Sequence, residues 1–184
     1  MMAAHVLVPL AEGCEEIEAV TIIDLLRRAG VEVTVAGLES GPITASRGVF
    51  LLADTTLEEL DDTPFDMIVL PGGGPGSDAL DRDERIRTLL RAQYDAGRYV
   101  AAICAAPKVL AHIGLLDGRK ATAFPGTLEG EPGAIQLQDD PVVIDGKIVT
   151  SRGPGTAMVF ALTLIELLLG ESARQTVDAG LQRV

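Results

Sequence analysis

Tyr99-Val100-Ala101-Ala102-Ile103-Cys104-Ala105-Ala106-Pro107 is the stretch that decides the fold. A run of apolar residues without alternation cannot present one face to water, so residues 99–103 read as a strand covered on both sides. Pro107 suits the first turn of a helix, so the chain passes from a buried strand towards a helix through Cys104, Ala105 and Ala106. The same alternation recurs outward. Upstream, residues 84–96 have helical spacing, with Ile86, Leu89, Leu90 and Tyr94 along one side, and Gly97 closes them. Residues 67–70 form another apolar strand, followed by Pro71-Gly72-Gly73-Gly74-Pro75-Gly76. Nearer the start, a strand at 6–10 leads to a helix at 15–29 ended by Gly30, then to a β-branched strand at 31–36. Residues 43–53 read as a small hairpin and 142–149 as an Asp-Gly hairpin; helices at 156–169 and 172–184 follow. This pattern predicts a single α/β domain over residues 1–184, a mostly parallel sheet with helices on both faces.

Composition narrows the function. The 184 residues are 47% hydrophobic, which excludes a disordered chain and suffices for one core. Fifteen Lys and Arg against 27 Asp and Glu give a formal charge of −12, so unaided nucleic-acid binding should be weak. The longest apolar stretch, 159–169, contains Glu166 and falls short of the roughly 20 residues of a membrane span. The first residues show no charged region or cleavage site of a secretory signal. Cys14 and Cys104, without a CxxC or a Cys/His cluster, argue against a disulfide scaffold or structural zinc. The expectation is a reduced, cytoplasmic protein with no metal or cofactor.

In an open parallel sheet, ligands sit beyond the carboxyl ends of the strands, which selects the loops after Leu10, Leu70 and Ile103. Cys104 lies at such a strand-to-helix turn, where helix N–H groups would stabilise a thiolate and lower its pKa. A nucleophile and a buried structural thiol both remain open there. Glu18 shares the core-facing side of the first helix with Ile22, so its carboxyl should be partnered or neutral with a raised pKa. Glu15 and Glu16 read as helix-start acids. The glycine run has neither the position of a dinucleotide fingerprint nor the lysine of a P-loop. Its N–H groups could approach Cys104 as an oxyanion hole, or it could be an ordinary tight loop. His5 stands at the amino end of its strand, and His112 is about 12 Å along a helix from Cys104, so neither can serve as base. By elimination the acid/base partner of Cys104 is a carboxylate, and Glu18 is the candidate.

At this point the chain resembles the DJ-one/PfpI (ThiJ) superfamily, in its DJ-one/YajL branch. The resemblance rests on residues 11–20 (AEGCEEIEAV), 33–37 (VTVAG), 46–49 (SRGV), 69–73 (VLPGG), 101–107 (AAICAAP) and 150–156 (TSRGPGT), in family order through nearly the whole chain. It implies a flavodoxin-like three-layer sandwich and a homodimer. It makes Cys104 the easily oxidised nucleophile, hydrogen-bonded to a protonated Glu18, with the N–H groups of Gly73 and Ala105 around the substrate oxygen. Glu15 and Arg47 match further site-lining positions, Arg47 reaching across the dimer interface. Phe124 stands where many members carry histidine, as in the YajL-like members. Cys14 replaces a residue that is usually alanine or serine.

The resemblance implies a glutathione-independent glyoxalase or deglycase. Cys104 would add to methylglyoxal, glyoxal or their early protein or nucleotide adducts, Glu18 would shuttle protons, and lactate or glycolate would leave. The alternative from the same motif is an oxidative-stress sensor or holdase chaperone that uses oxidation of Cys104 without turnover. Cys104 and Glu18 are expected to titrate as a coupled pair with pKa values moved in opposite directions, thiol down and carboxyl up.

Overall fold

The structure is a computed structural model, and it describes residues 3–61 and 63–182. The chain runs through β1 (His5–Leu10), α1 (Glu16–Arg28), β2 (Glu32–Gly37), β3 (Pro42–Thr44), β4 (Phe50–Leu52) and β5 (Thr55–Thr56). It continues with β6 (Met67–Leu70), α2 (Gly74–Arg82), α3 (Glu84–Asp95), β7 (Tyr99–Ile103), α4 (Pro107–His112) and β8 (Lys120–Ala121). It closes with β9 (Gln136–Leu137), β10 (Val142–Asp145), β11 (Ile148–Ser151), α5 (Ala157–Leu169) and α6 (Glu171–Gly180). The central sheet has seven strands in the order β10-β11-β7-β6-β1-β2-β5. Every pairing in it is parallel except that of the β10–β11 hairpin. This is the expected α/β sandwich.

Two cores explain why the strands are apolar without alternation. Val6, Val8 and Leu10 of β1, with Met67, Val69, Ala101 and Ile103, join α1 and α5 on one face. Leu7, Ile68, Leu70, Val100 and Ala102 join Leu80 of α2, Ile86 and Leu90 of α3 and Val109 of α4 on the other. Each strand feeds both layers by turns, as its period of two requires.

The differences from expectation are local. The glycine run does not stay a loop: Gly74 opens α2, with Pro75 in its first turn and Gly73 as N-cap. The last helix ends at Gly180, and the end expected for it at 183–184 lies outside the described residues. Cys104 itself sits where expected, in the turn between β7 and α4. Among the described residues, no helix is long and apolar enough to cross a membrane.

Candidate active site

The carboxyl ends of β1, β6 and β7 meet where the sheet order turns back, and each contributes one part of the site. After β7, Cys104 takes φ +65°, a left-handed backbone unusual outside glycine. Both sides of that peptide are held: Cys104 N–H donates to Ser151 O of β11 at 3.0 Å, and Phe124 N–H donates to Cys104 O at 2.9 Å. The sharp turn is thus over-determined by its neighbours, which is how such backbone strain persists.

After β1, Glu15 caps α1, its Oε2 accepting from Glu18 N–H at 2.8 Å. Its own N–H donates to Gly72 O at 2.9 Å. Glu18, one turn into α1, is fully buried, and its Oε2 accepts from Gly72 N–H at 2.8 Å. Its Oε1 is buried without an N–H or O–H donor. The carboxyl's remaining interaction is a hydrogen bond with the Cys104 thiol. A carboxyl oxygen that finds no donor is placed to carry a proton itself.

After β6 the glycines are required by crowding. A Cβ on Gly72 would stand 2.6 Å from both Cys104 Cβ and Glu18 Oε2. Gly73, at φ +89°, would drive a Cβ into Gly13 O and within 2.6 Å of Glu15 N. Free of side chains, the loop brings Gly73 N–H onto the Cys104 sulfur, where Ala105 N–H also points. The N–H groups of Gly73 and Ala105 thus both act to favour charge on the Cys104 sulfur. Gly72, which makes the contact possible, carries no mark of this role in the sequence beyond its place in the glycine run.

Burial pushes Glu18 up to about 7, against the donors Gly72 and Cys104. The expected lowering of Cys104 is not what the structure gives. Burial first, then the charge of Glu18 and its hydrogen bond, push the thiol up to about 12, while Gly73 and Ala105 act the other way. α4 has six residues, too short for a strong helix-end field, and the thiol is only 8% exposed. Two of the three elevating causes belong to ionised Glu18 and vanish when it is protonated. The pair thus loses its protons in two well-separated steps and holds a single negative charge between them.

Of the other expected residues, Phe124 is half-exposed and lies beside Gly153, where a Cβ would be 3.4 Å from the ring and 4.0 Å from Cys104 Sγ. Together with Arg152, Leu128 and Leu137 it lines a pocket of about 180 Å³ next to the thiol turn. Arg47 keeps to its own turn: its guanidinium donates to Ser46 O at 3.2 Å, and its N–H to Glu16 Oε1 at 2.8 Å. Glu16 is more than a helix-start acid, since it also accepts from Ser46 Oγ at 2.8 Å and so fixes the β3–β4 turn on α1. His5 bonds Thr34 Oγ1 at the opposite end of the sheet, and His112 is held by Asp81 and Glu131, so neither histidine serves the thiol. Among the described residues no three His, Cys, Asp or Glu side chains converge as metal ligands would.

A sequence model of the DJ-1/PfpI family matches residues 4–167. The chain belongs to the DJ-1/PfpI family. It is 44% identical to the dj-1beta protein of Drosophila melanogaster, covering 98% of this chain and 97% of that one. The crystal structure of that protein superposes with a TM-score of 0.93 over the full length of both. It is also 44% identical to DJ-1 homolog B of Arabidopsis thaliana over 96% of this chain, although it spans only 41% of that relative. A Caenorhabditis elegans relative, named glutathione-independent glyoxalase DJR-1.2, is 36% identical over 91% of this chain and 89% of its own. The fold is the flavodoxin-like one of these DJ-1 structures.

Proposed function

We propose that this member of the family is a cofactor-independent glyoxalase that converts methylglyoxal to lactate and glyoxal to glycolate. One observation carries the reading: a buried carboxyl raised to about 7, bonded to a thiol onto which two backbone N–H groups converge. A proton carrier is most effective when its pKa lies near working pH. Glu18 as carboxylate takes the Cys104 proton while sulfur adds to the aldehyde carbon. The new alkoxide sits against the N–H groups of Gly73 and Ala105, and Glu18 returns the proton to it. Glu18 then removes the hydrogen on that carbon and delivers it to the neighbouring carbonyl carbon through an enediol, leaving a thioester on Cys104. Water hydrolyses the thioester to the hydroxy acid and restores the thiol. The sum is aldehyde plus water, with no oxidant or reductant. Early thiol and amine adducts of these aldehydes exchange with free aldehyde and join the substrate pool, which is the deglycase side of the activity. A relative bearing the glyoxalase name at 36% identity supports the assignment.

The partner for assembly is a second copy of the chain. Ile17 and Val20 on the outer face of α1, with Val49, Phe50 and Leu52 on the β3–β4 hairpin, are exposed apolar residues, Phe50 at 72%. Burying them in a homodimer would place Arg47, on the same hairpin, within reach of the partner's site. The deciding experiment incubates the protein with methylglyoxal, free of thiols and amine buffers, and follows lactate by NMR. Formation by the wild type and none by Cys104→Ser supports the enzyme. Equal trace rates in both would overturn it in favour of a redox sensor or chaperone.

A further inference from the structure

We propose that His112 is a positioning residue: as an imidazolium clamped between Asp81 and Glu131, it fixes the 124–133 segment against the helices, and its deprotonation frees that segment from the Cys104 turn. The two bonds define its charge state. His112 Nδ1 lies 2.8 Å from Asp81 Oδ2, and Nε2 lies 3.0 Å from Glu131 Oε2. Carboxylate oxygens accept only, and a neutral imidazole has one N–H and one lone pair, so only the doubly protonated ring satisfies both. Burial works against that charge, but the bond and charge of Asp81, and then those of Glu131, outweigh it and raise the pKa.

The other charges nearby are already committed. Lys108, one turn earlier on α4, pairs with Asp78 of α2. Arg87 of α3 lies 3.9 Å from Asp81 and 3.7 Å from Glu84. Glu129 accepts from the N–H groups of Gly126 and Leu128, and Asp117 packs beside Gly133. Asp81 therefore keeps Arg87 when His112 is neutral. Glu131 has His112 as its ion partner among the described residues, so its charge goes unpaired when the ring is neutral, a single N–H being the most it can still accept from it. The clamp opens on the segment's side.

That segment leads directly to the thiol. It begins at Phe124, whose N–H holds Cys104 O, and its turns are bound mainly to themselves, Thr127 N–H to Phe124 O and Glu131 N–H to Leu128 O. Buried Leu128 and the His112–Glu131 bond tie its middle to the rest of the molecule. For a histidine with a raised folded pKa, the stabilisation is complete below the ordinary value of about 6.5 and is lost as pH rises through the raised one. The segment is thus held below the His112 titration and freed as pH rises through it.

The test compares wild type with Glu131→Gln, a change at a partly exposed loop position. Amide-exchange protection of 126–131, corrected for intrinsic rates, should be higher in wild type at pH 6, by about tenfold for each pKa unit by which NMR places His112 above 6.5, and converge above the His112 titration. NMR titration of the His112 ring should move down in the variant. The ratio of Cys104 alkylation rates, variant to wild type, should exceed one at pH 6 and approach one at pH 9. Equal protection in the two proteins at every pH, a pH-independent difference, or a wild-type His112 titrating near 6.5 would each overturn the proposal. No readout requires turnover, so the clamp can fail while the glyoxalase reading stands, and the reverse.

Discussion

Two cysteines end two parallel strands on the same edge of this sheet, and their surroundings divide them. Cys14, after β1, is 1% exposed and is pushed up to about 11, by burial and then by the charges of Glu16, Glu12 and Glu15. Cys104, after β7, is 8% exposed and pushed up to about 12. Burial and a raised thiol are therefore common to both. What differs is the carboxylate. Glu16, foremost of the charges on Cys14, is itself held below the ordinary range, because its donors outweigh its burial, so it cannot take a proton at neutral pH. Glu18 is raised to about 7 and can. At Cys14 the left-handed backbone is carried by the preceding Gly13, whereas Cys104 carries it itself. On the proposed function, the reactive thiol is the one whose neighbour titrates, rather than one whose own pKa is low.

Exchanging the two roles is the most severe test of that contrast. Cys104→Ser should reduce lactate formation by about 10³-fold or more, while Cys14→Ser should leave it within about twofold; equal losses would erase the distinction. Glu18→Gln removes the proton carrier and should cost about 10²–10⁴-fold in turnover. It also removes the carboxylate charge, so the pH profile of Cys104 alkylation should move downward, and an unmoved profile would show that Glu18 does not govern the thiol. Gly72→Ala places a methyl against Cys104 and Glu18 and should cost about 1–3 kcal/mol in thermal or denaturant unfolding. Gly74→Ala, which meets nothing within 4 Å, should stay within about 0.5 kcal/mol. A further difference is in pH dependence. A carboxyl raised from 4.5 to about 7 binds its proton more tightly when folded, so it favours folding below 4.5 and that contribution fades as pH rises to about 7. Glu18→Gln should flatten this slope in pH-dependent denaturation, and Cys14→Ser should not.

Much of this arrangement is legible in the residues. β6 and β7 fall where their unbroken apolar runs place them, and both hairpins are marked by turn residues between β-rich segments. Glu18 announces itself as an acid on the buried side of an amphipathic helix. The parts that resist reading depend on distant partners. α2 opens on Gly-Pro-Gly with little apolar periodicity, and β8 and β9 are two-residue strands that exist only because each pairs with the other. The direction of the Cys104 shift does not follow from a helix-end field, because burial and the charge of Glu18 oppose it. Glu131 is one acid among many in the sequence, and only the folded chain shows that His112 lies between it and Asp81.

The +65° backbone at Cys104 limits which amino acids can stand in for this proposed nucleophile. Left-handed φ is well tolerated by glycine, asparagine and aspartate and poorly by β-branched residues. Threonine or valine at this position would push against the Ser151 and Phe124 peptides that hold the turn, confounding lost chemistry with a displaced loop. An inactive control, or a redesign installing a different reactive group, should therefore draw on serine, asparagine or aspartate, whose side chains leave the turn as it is. The same constraint means that the allowed replacements for this cysteine are chosen by its peptide plane before its sulfur is considered.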